Sequence, residues 1–236
     1  MILASVDLIA RFSGAFESLG AAWVLWTLVG LSIVSVAIMF ERLIFFATHN
    51  LGDVREIARQ LERGDLEGAV KAVGTKRGLE SEVVREGVLN APQGAEAVEE
   101  VVQRVIMAER LGYERFLAYL STLGNNAPFV GLFGTVLGII AAFAELSASA
   151  KSGTVSSGSS HIMGGISEAL VATAVGLLVA LPAVAANNFF VRWLRTITVR
   201  GEVLGHALAA HLKALPAEPE EASHRPVAVP RSASGS

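Results

Sequence analysis

A chain of 236 residues that is 52% hydrophobic and only 17% charged is too apolar for an ordinary water-soluble domain, and points to a membrane protein. Its net charge of −3, with basic residues spread along the chain rather than gathered in a patch, excludes nucleic acid as a partner. The absence of cysteine excludes a disulfide framework and any thiolate metal site.

Residues 1–20, "MILASVDLIARFSGAFESLG", lack the basic and apolar regions of a cleavable signal. Ile2, Val6, Ile9, Phe12 (or Ala10) and Phe16 recur at roughly helical spacing between polar residues, which fits either a periplasmic amphipathic leader lying on a membrane surface or a plain flexible leader. A bilayer core about 30 Å thick needs roughly 20 apolar residues in helix. The first span is predicted at 21–47: it carries no charge from Ala21 to Phe40, closes on Glu41 and Arg42, and has Trp23 and Trp26 as interfacial anchors.

The segment 48–125 reads as helical. "DVREIARQLERGDLEGAVKAV" has an N-cap signal at Asp53 and a break at Gly64 and Asp65, giving a helix, a turn and a second short helix. Val98, Val101, Val102, Val105 and Ile106 then form one apolar stripe. With no proline between Val98 and Pro128, this helix is expected to run unbroken into a second span at 126–146. An outer loop at 147–164, a third span at 165–190 and a helix at 191–215 follow. The tail 216–236 is rich in Pro, Ser, Ala and charge, the composition of a disordered segment. Arg42, Arg110, Arg115, Arg192 and Arg195 flank the span ends on one side, against Arg11 and Lys151 on the other. Positive residues stay inside, so the N-terminus is expected outside and the C-terminus in the cytoplasm. The fold class predicted is an all-α membrane protein with three transmembrane helices and extended cytoplasmic helices.

Both later spans carry a seam of small and polar residues. In the second, Pro128, Gly131, Thr135, Gly138, Ala142 and Glu145 step by three and four, with Gly134 and Gly138 forming a GxxxG. In the third, Ala169, Thr173, Gly176, Ala180, Ala183 and Asn187 do the same, with Glu168 at the outer edge and Pro182 further along. Close helix packing explains small residues by itself, with the threonines bonding back to their own helix. The alternative is that the seams line a pore or a socket for partner helices; Glu168 either supports it, as an ionisable residue in a span that faces a cavity rather than lipid, or sits at the interface and is simply hydrated.

"NAPFVGLFGTVLGIIAAF" (126–143) and "GISEALVATAVGLLVALPAVAANNF" (165–189) resemble the second and third spans of the MotA/TolQ/ExbB proton-channel family, most closely its ExbB and TolQ branches. The sequence departs from the usual pattern at Leu137, where an aromatic residue is common, and at Met163 and Gly164, where Ala-Pro is. The resemblance implies a stator subunit of the bacterial inner membrane, not an enzyme. It implies a homopentamer around two copies of an ExbD/TolR-like single-span partner whose intramembrane Asp carries the proton. It implies Thr135, Thr173 and Glu168 in the proton path and matches the family's third-span proline at Pro182, while the seam spacing itself assigns Gly131, Gly134, Gly138, Ala142, Ala169, Gly176, Ala180 and Asn187, with Pro182, to helix packing or partner contact.

The spans contain no Asp of their own, and the chain has neither a P-loop lysine nor a zinc motif. No cofactor is expected beyond protons as the coupling ion. One charge crossing 100 mV supplies about 2.3 kcal/mol. A TonB/TolA-like or gliding-machinery protein is the expected recipient of the work. The rival expectation is a non-conducting oligomeric membrane scaffold. A small-solute transporter is disfavoured because no inverted repeat is visible.

Overall fold

The computed structural model describes residues 22–152 and 155–215. The leader 1–20 and the tail 216–236 lie outside them. The described residues are helical, apart from short connections, and include no strand. α1 is Ala22–Thr48, α2 Arg55–Glu62, α3 Leu66–Val73, α4 Leu79–Asn90, α5 Ala95–Glu114, α6 Leu117–Ser152 and α7 Val155–Ala214. A 3₁₀ turn, Ala91–Gln93, joins α4 to α5.

Among the described residues, three helices are long and apolar enough to cross a membrane: Ala22–Thr48, Leu117–Ser147 and Met163–Ala214. α6 and α7 pack antiparallel, Gly124 meeting Val184 at one end and Gly138 meeting Ala169 at the other. α1 runs alongside them in the direction of α7. Its Val24 reaches Gly134 and its Phe46 ring packs at a tilt against Phe190 and Trp193. The 60 residues of α7 make a rod of about 90 Å at 1.5 Å per residue, roughly three times the hydrocarbon thickness. Its far half therefore projects into a helical head.

The head is held by one apolar core. Val98, Val102 and Ile106 of α5 are buried against Leu204 and Leu208 of α7, together with Leu61 of α2, Val73 of α3 and Val83 of α4. The periodic stripe seen in the sequence is the buried face of α5. The break at Gly64 and Asp65 separates α2 from α3, where the Asp65 side chain caps α3 by accepting from the Gly68 amide at 2.9 Å. At the start of α2 the cap position is Val54, and Asp53 instead accepts from the Arg55 amide.

The helix expected to continue from α5 into the second span is interrupted. α5 ends at Glu114, α6 starts at Leu117, and Phe116 between them has φ 63°, a left-handed conformation unusual for a bulky residue. The cause is tertiary. Arg42, 2% exposed, donates to the Gly112 carbonyl at 3.0 Å and lies over the rings of Phe45 and Phe116. A guanidinium from the end of α1 thus satisfies a carbonyl that the terminating helix leaves free. The outer loop expected at 147–164 is helical at its described residues, 147–152 and 155–164. The run Ala-Ala-Phe-Ala-Glu-Leu at 141–146 is rich in good helix formers, which carry α6 past the span.

A polar knot ties α1 to the head. The Tyr113 hydroxyl accepts from the Leu79 amide at 3.4 Å and donates to the His49 carbonyl at 3.1 Å, and burial pushes its pKa to about 12. Next to it Glu80, 1% exposed, accepts from the Leu51 amide at 3.1 Å and stands 3.6 Å from Arg200 of α7. Burial raises the Glu80 carboxyl above its ordinary 4.5, against the opposing pull of Leu51 and Arg200. A carboxylate whose folded pKa is raised binds its proton more tightly when folded. Its contribution to stability is therefore full below the ordinary value and is lost as the pH rises through the folded one. Glu80→Gln is expected to flatten the pH dependence: between about pH 4.5 and neutral pH, the melting temperature of the variant should fall less than that of the wild type. Equal slopes would show that Glu80 does not titrate in this window.

Candidate ion path between the second and third spans

The glycines of the two seams form the contact between α6 and α7. A Cβ on Gly131 would lie 2.8 Å from the Ala172 carbonyl oxygen and 3.0 Å from the Thr173 Cα. One on Gly176 would lie 2.7 Å from the Ala127 carbonyl oxygen, and one on Gly138 2.6 Å from the Ala169 Cβ. Gly134 packs against Ala172 and against Val24 of α1. Ala142, Ala169 and Ala180 are buried in the same contact region. The backbones approach because nothing larger than hydrogen or methyl stands between them.

Thr135 and Thr173 sit just outside this line of contact and are half-buried. In each helix the residues facing α1 (Leu137 and Leu123 in α6, Val179 in α7) lie on one flank of the glycine contact. At 100° per residue the threonine lies on the other. Both threonines therefore project from the face of the α6–α7 pair turned away from α1. Gly131 stands against Thr173, so Thr135 is one turn farther along, on the order of 6 Å.

The two hydroxyls differ in environment. Thr135 Oγ1 donates to the Leu132 carbonyl at 2.6 Å. Thr27, Thr48, Thr196 and Thr198 likewise bond to a carbonyl one turn back. Thr173 Oγ1 is buried and has no hydrogen-bond partner. A buried hydroxyl left unpaired costs about 1–3 kcal/mol, so it stands ready for a partner that the single chain does not supply.

The same face continues toward the head. Asn187, fourteen residues beyond Thr173, is within about 40° of it on the helix, is half-buried, and lines a groove of about 660 Å³ with Ser121, Arg110, Glu114, Arg195 and Glu202. Sequence inspection did not single out this groove: its charges resemble ordinary interfacial ones until the helices are placed. Two expected residues are not brought together with the threonines. Glu168, five residues before Thr173, points about 140° away and is exposed, so it is not at the edge of the seam. Pro182 is on the opposite side of α7 from Thr173, exposed in an apolar crevice shared with Phe40 and Leu43 of α1.

Among the described residues no cluster of His, Asp or Glu is placed to hold a metal ion. What this face offers is a line of hydroxyl and amide groups, Thr135, Thr173, Ser121 and Asn187, along two otherwise apolar helices.

Residues 75–202 match the model of the MotA/TolQ/ExbB proton channel family. The chain is 33% identical over 172 residues to the biopolymer transport protein ExbB of Salmonella typhimurium, covering 68% of each chain. It is 42% identical over 113 residues to the Tol-Pal system protein TolQ of Pseudomonas aeruginosa, covering 48% of this chain and 42% of that one. It is 35% identical over 114 residues to an ExbB of Xanthomonas campestris pv. campestris, covering 48% and 43%. The matched segments thus span less than half the length of the latter two relatives. With the family model covering over half of the chain and three apolar helices of spanning length, this multi-pass membrane protein belongs to the MotA/TolQ/ExbB family.

Proposed function

We propose that this protein is the proton-conducting stator subunit of an inner-membrane motor, working as a homo-oligomer, a pentamer by family resemblance. The ring surrounds two copies of an ExbD/TolR-like single-span partner whose intramembrane Asp takes up and releases the proton. The N-terminus is outside and the helical head is cytoplasmic. The observation that carries the reading is the buried, unpartnered hydroxyl of Thr173, on the same face as Thr135 and Asn187. Packing accounts for the glycines but leaves this hydroxyl unexplained. In the assembly it bonds to water or to the partner carboxylate. Neutralising that carboxylate releases the partner helix to turn within the ring, and each proton crossing 100 mV supplies about 2.3 kcal/mol for the motion. The output is TonB-type uptake, Tol-type envelope maintenance or gliding.

The test is purification from native membranes in mild detergent, followed by reconstitution into liposomes under an imposed proton motive force. The expected result is an oligomer that carries a single-span protein with an intramembrane Asp and takes up protons. An intact oligomer with neither partner nor proton flux would support the non-conducting scaffold instead.

A further inference from the structure

We propose that protons leave each subunit for the cytoplasm through the groove between α5, α6 and α7, from Asn187 and Ser121 at its inner end to Glu202 at its mouth. The inference rests on the proton-conducting reading above and adds the last stage of the route. In α7 no polar side chain lies between Thr173 and Asn187. Leu177, Ala180 and Val184 fill this face instead, over about 21 Å at 1.5 Å per residue. Asn187 is therefore the first group of α7 past Thr173 that can bond to water, and it is the lining residue of the groove nearest Thr173 on that helix. Glu202, twenty-nine residues beyond Thr173, falls within about 20° of it around the axis. One face of α7 thus carries the whole route.

The chemistry of the walls distinguishes this groove from the crevice on the opposite side of α7. That crevice, about 550 Å³, is walled by Phe40, Leu43, Pro182 and Phe189 with other apolar neighbours, and offers a proton no polar side chain. The groove offers the Ser121 and Thr198 hydroxyls and the Asn187 amide, groups that both donate and accept and so hold a chain of water. Two guanidiniums and two carboxylates complete its lining, Arg110, Glu114, Arg195 and Glu202. Their charges cancel, so the mouth does not repel a hydronium ion. Arg110 is engaged by Glu114, 2.6 Å away on the same helix, whereas Glu202 forms no ion pair among the described residues. The Glu202 carboxylate takes the proton from groove water and returns it to the bulk.

The cysteine-free chain allows the groove to be plugged. Val191→Cys and Thr198→Cys put a thiol at positions that line it; Leu89→Cys, at a position 72% exposed on α4, puts one outside it. Each complex, purified with its partner, is treated with a bulky polar maleimide and reconstituted into liposomes, and its proton flux is compared with that of the untreated half of the sample. The expected result is labelling at all three positions, with flux lowered several-fold by the label at 191 and 198 and unchanged by the label at 89. Full flux with 191 and 198 labelled, or no labelling there, overturns the inference. A second pair of variants reads the inner end without a label. Asn187→Leu lowers flux several-fold at unchanged particle mass, and Asn187→Ser, which keeps a hydrogen-bonding group, retains most of it. Full flux in Asn187→Leu overturns the inference as well, and this pair decides the question where the label breaks up the particle. Absence of flux in the untreated wild-type complex would instead overturn the proton-conducting reading on which the inference rests.

Discussion

Under the proposed function, Thr173→Val is expected to lower proton flux about tenfold or more while leaving folding and assembly intact. Valine has nearly the shape of threonine, so the half-buried position in α7 keeps its packing. What disappears is a hydroxyl that has no hydrogen-bond partner within the chain. In the isolated protein its loss is neutral or stabilising, because an unpaired buried hydroxyl costs about 1–3 kcal/mol, and the melting temperature in detergent should stay level or rise. In the proposed motor the same change would remove a group that bonds along the proton's path. Loss of one such bond at the barrier is worth about 1.4 kcal/mol or more, a reduction in flux of about tenfold at least. Thr173→Ser, which keeps the hydroxyl, should retain much of the flux. Thr135→Val should cost less, because the Thr135 proton is already engaged with the Leu132 carbonyl and only its oxygen is free to accept. Proton uptake and melting temperature measured on the same samples check both halves. Unchanged flux in Thr173→Val would remove this hydroxyl from the mechanism.

Gly131→Ala is the largest expected structural effect from a single methyl. The added Cβ would stand 2.8 Å from the Ala172 carbonyl oxygen and 3.0 Å from the Thr173 Cα. Both neighbours are backbone atoms of α7 and cannot swing aside. The two spans must separate, at a cost of about 1–3 kcal/mol for overpacking, and Thr173 moves with α7. Stability and proton flux should therefore fall together, unlike in Thr173→Val. Gly30→Ala and Gly164→Ala are the controls: a Cβ at either position meets nothing within 4 Å, and helix propensity favours alanine over glycine by about 1 kcal/mol. Melting temperatures should fall for Gly131→Ala and hold or rise for the controls. If all three behave alike, the glycine line is not the contact that sets the spacing of the spans.

Much of this architecture is legible in the chain. Uncharged runs mark the three spans, since lipid tolerates few charges at its centre, and the valine stripe of α5 marks the face that builds the head. The seams were legible as well, but not which part of each seam does what. Spacing alone puts glycines and threonines on one stripe, whereas the structure divides it. The glycines meet across the helix pair and the threonines stand to one side, turned from α1. Glu168 and Pro182 show the limit of counting along a helix, because a residue near a face in sequence can lie 140° or 180° from it around the axis. The elbow at Phe116 has no local signal. No proline lies nearby, and its cause is Arg42, more than seventy residues earlier in the chain, capping Gly112. The groove between α5 and α7 is invisible for the same reason. Arg110 and Glu202 come to line one groove only when the two antiparallel helices are set side by side.

The threonine face can be examined directly by single cysteines in this cysteine-free chain. Thr135→Cys, Thr173→Cys, Val171→Cys and Leu178→Cys are each treated, in the assembled complex in its native membrane, with a small water-soluble thiol reagent. Val171 and Leu178 lie on the exposed side of α7 about 140° to 160° from Thr173 and serve as the lipid-facing positions. A watered ion path predicts labelling at 135 and 173 and none at 171 and 178. Labelling at 171 or 178, with 135 and 173 inert, would put the threonines against lipid and the path elsewhere.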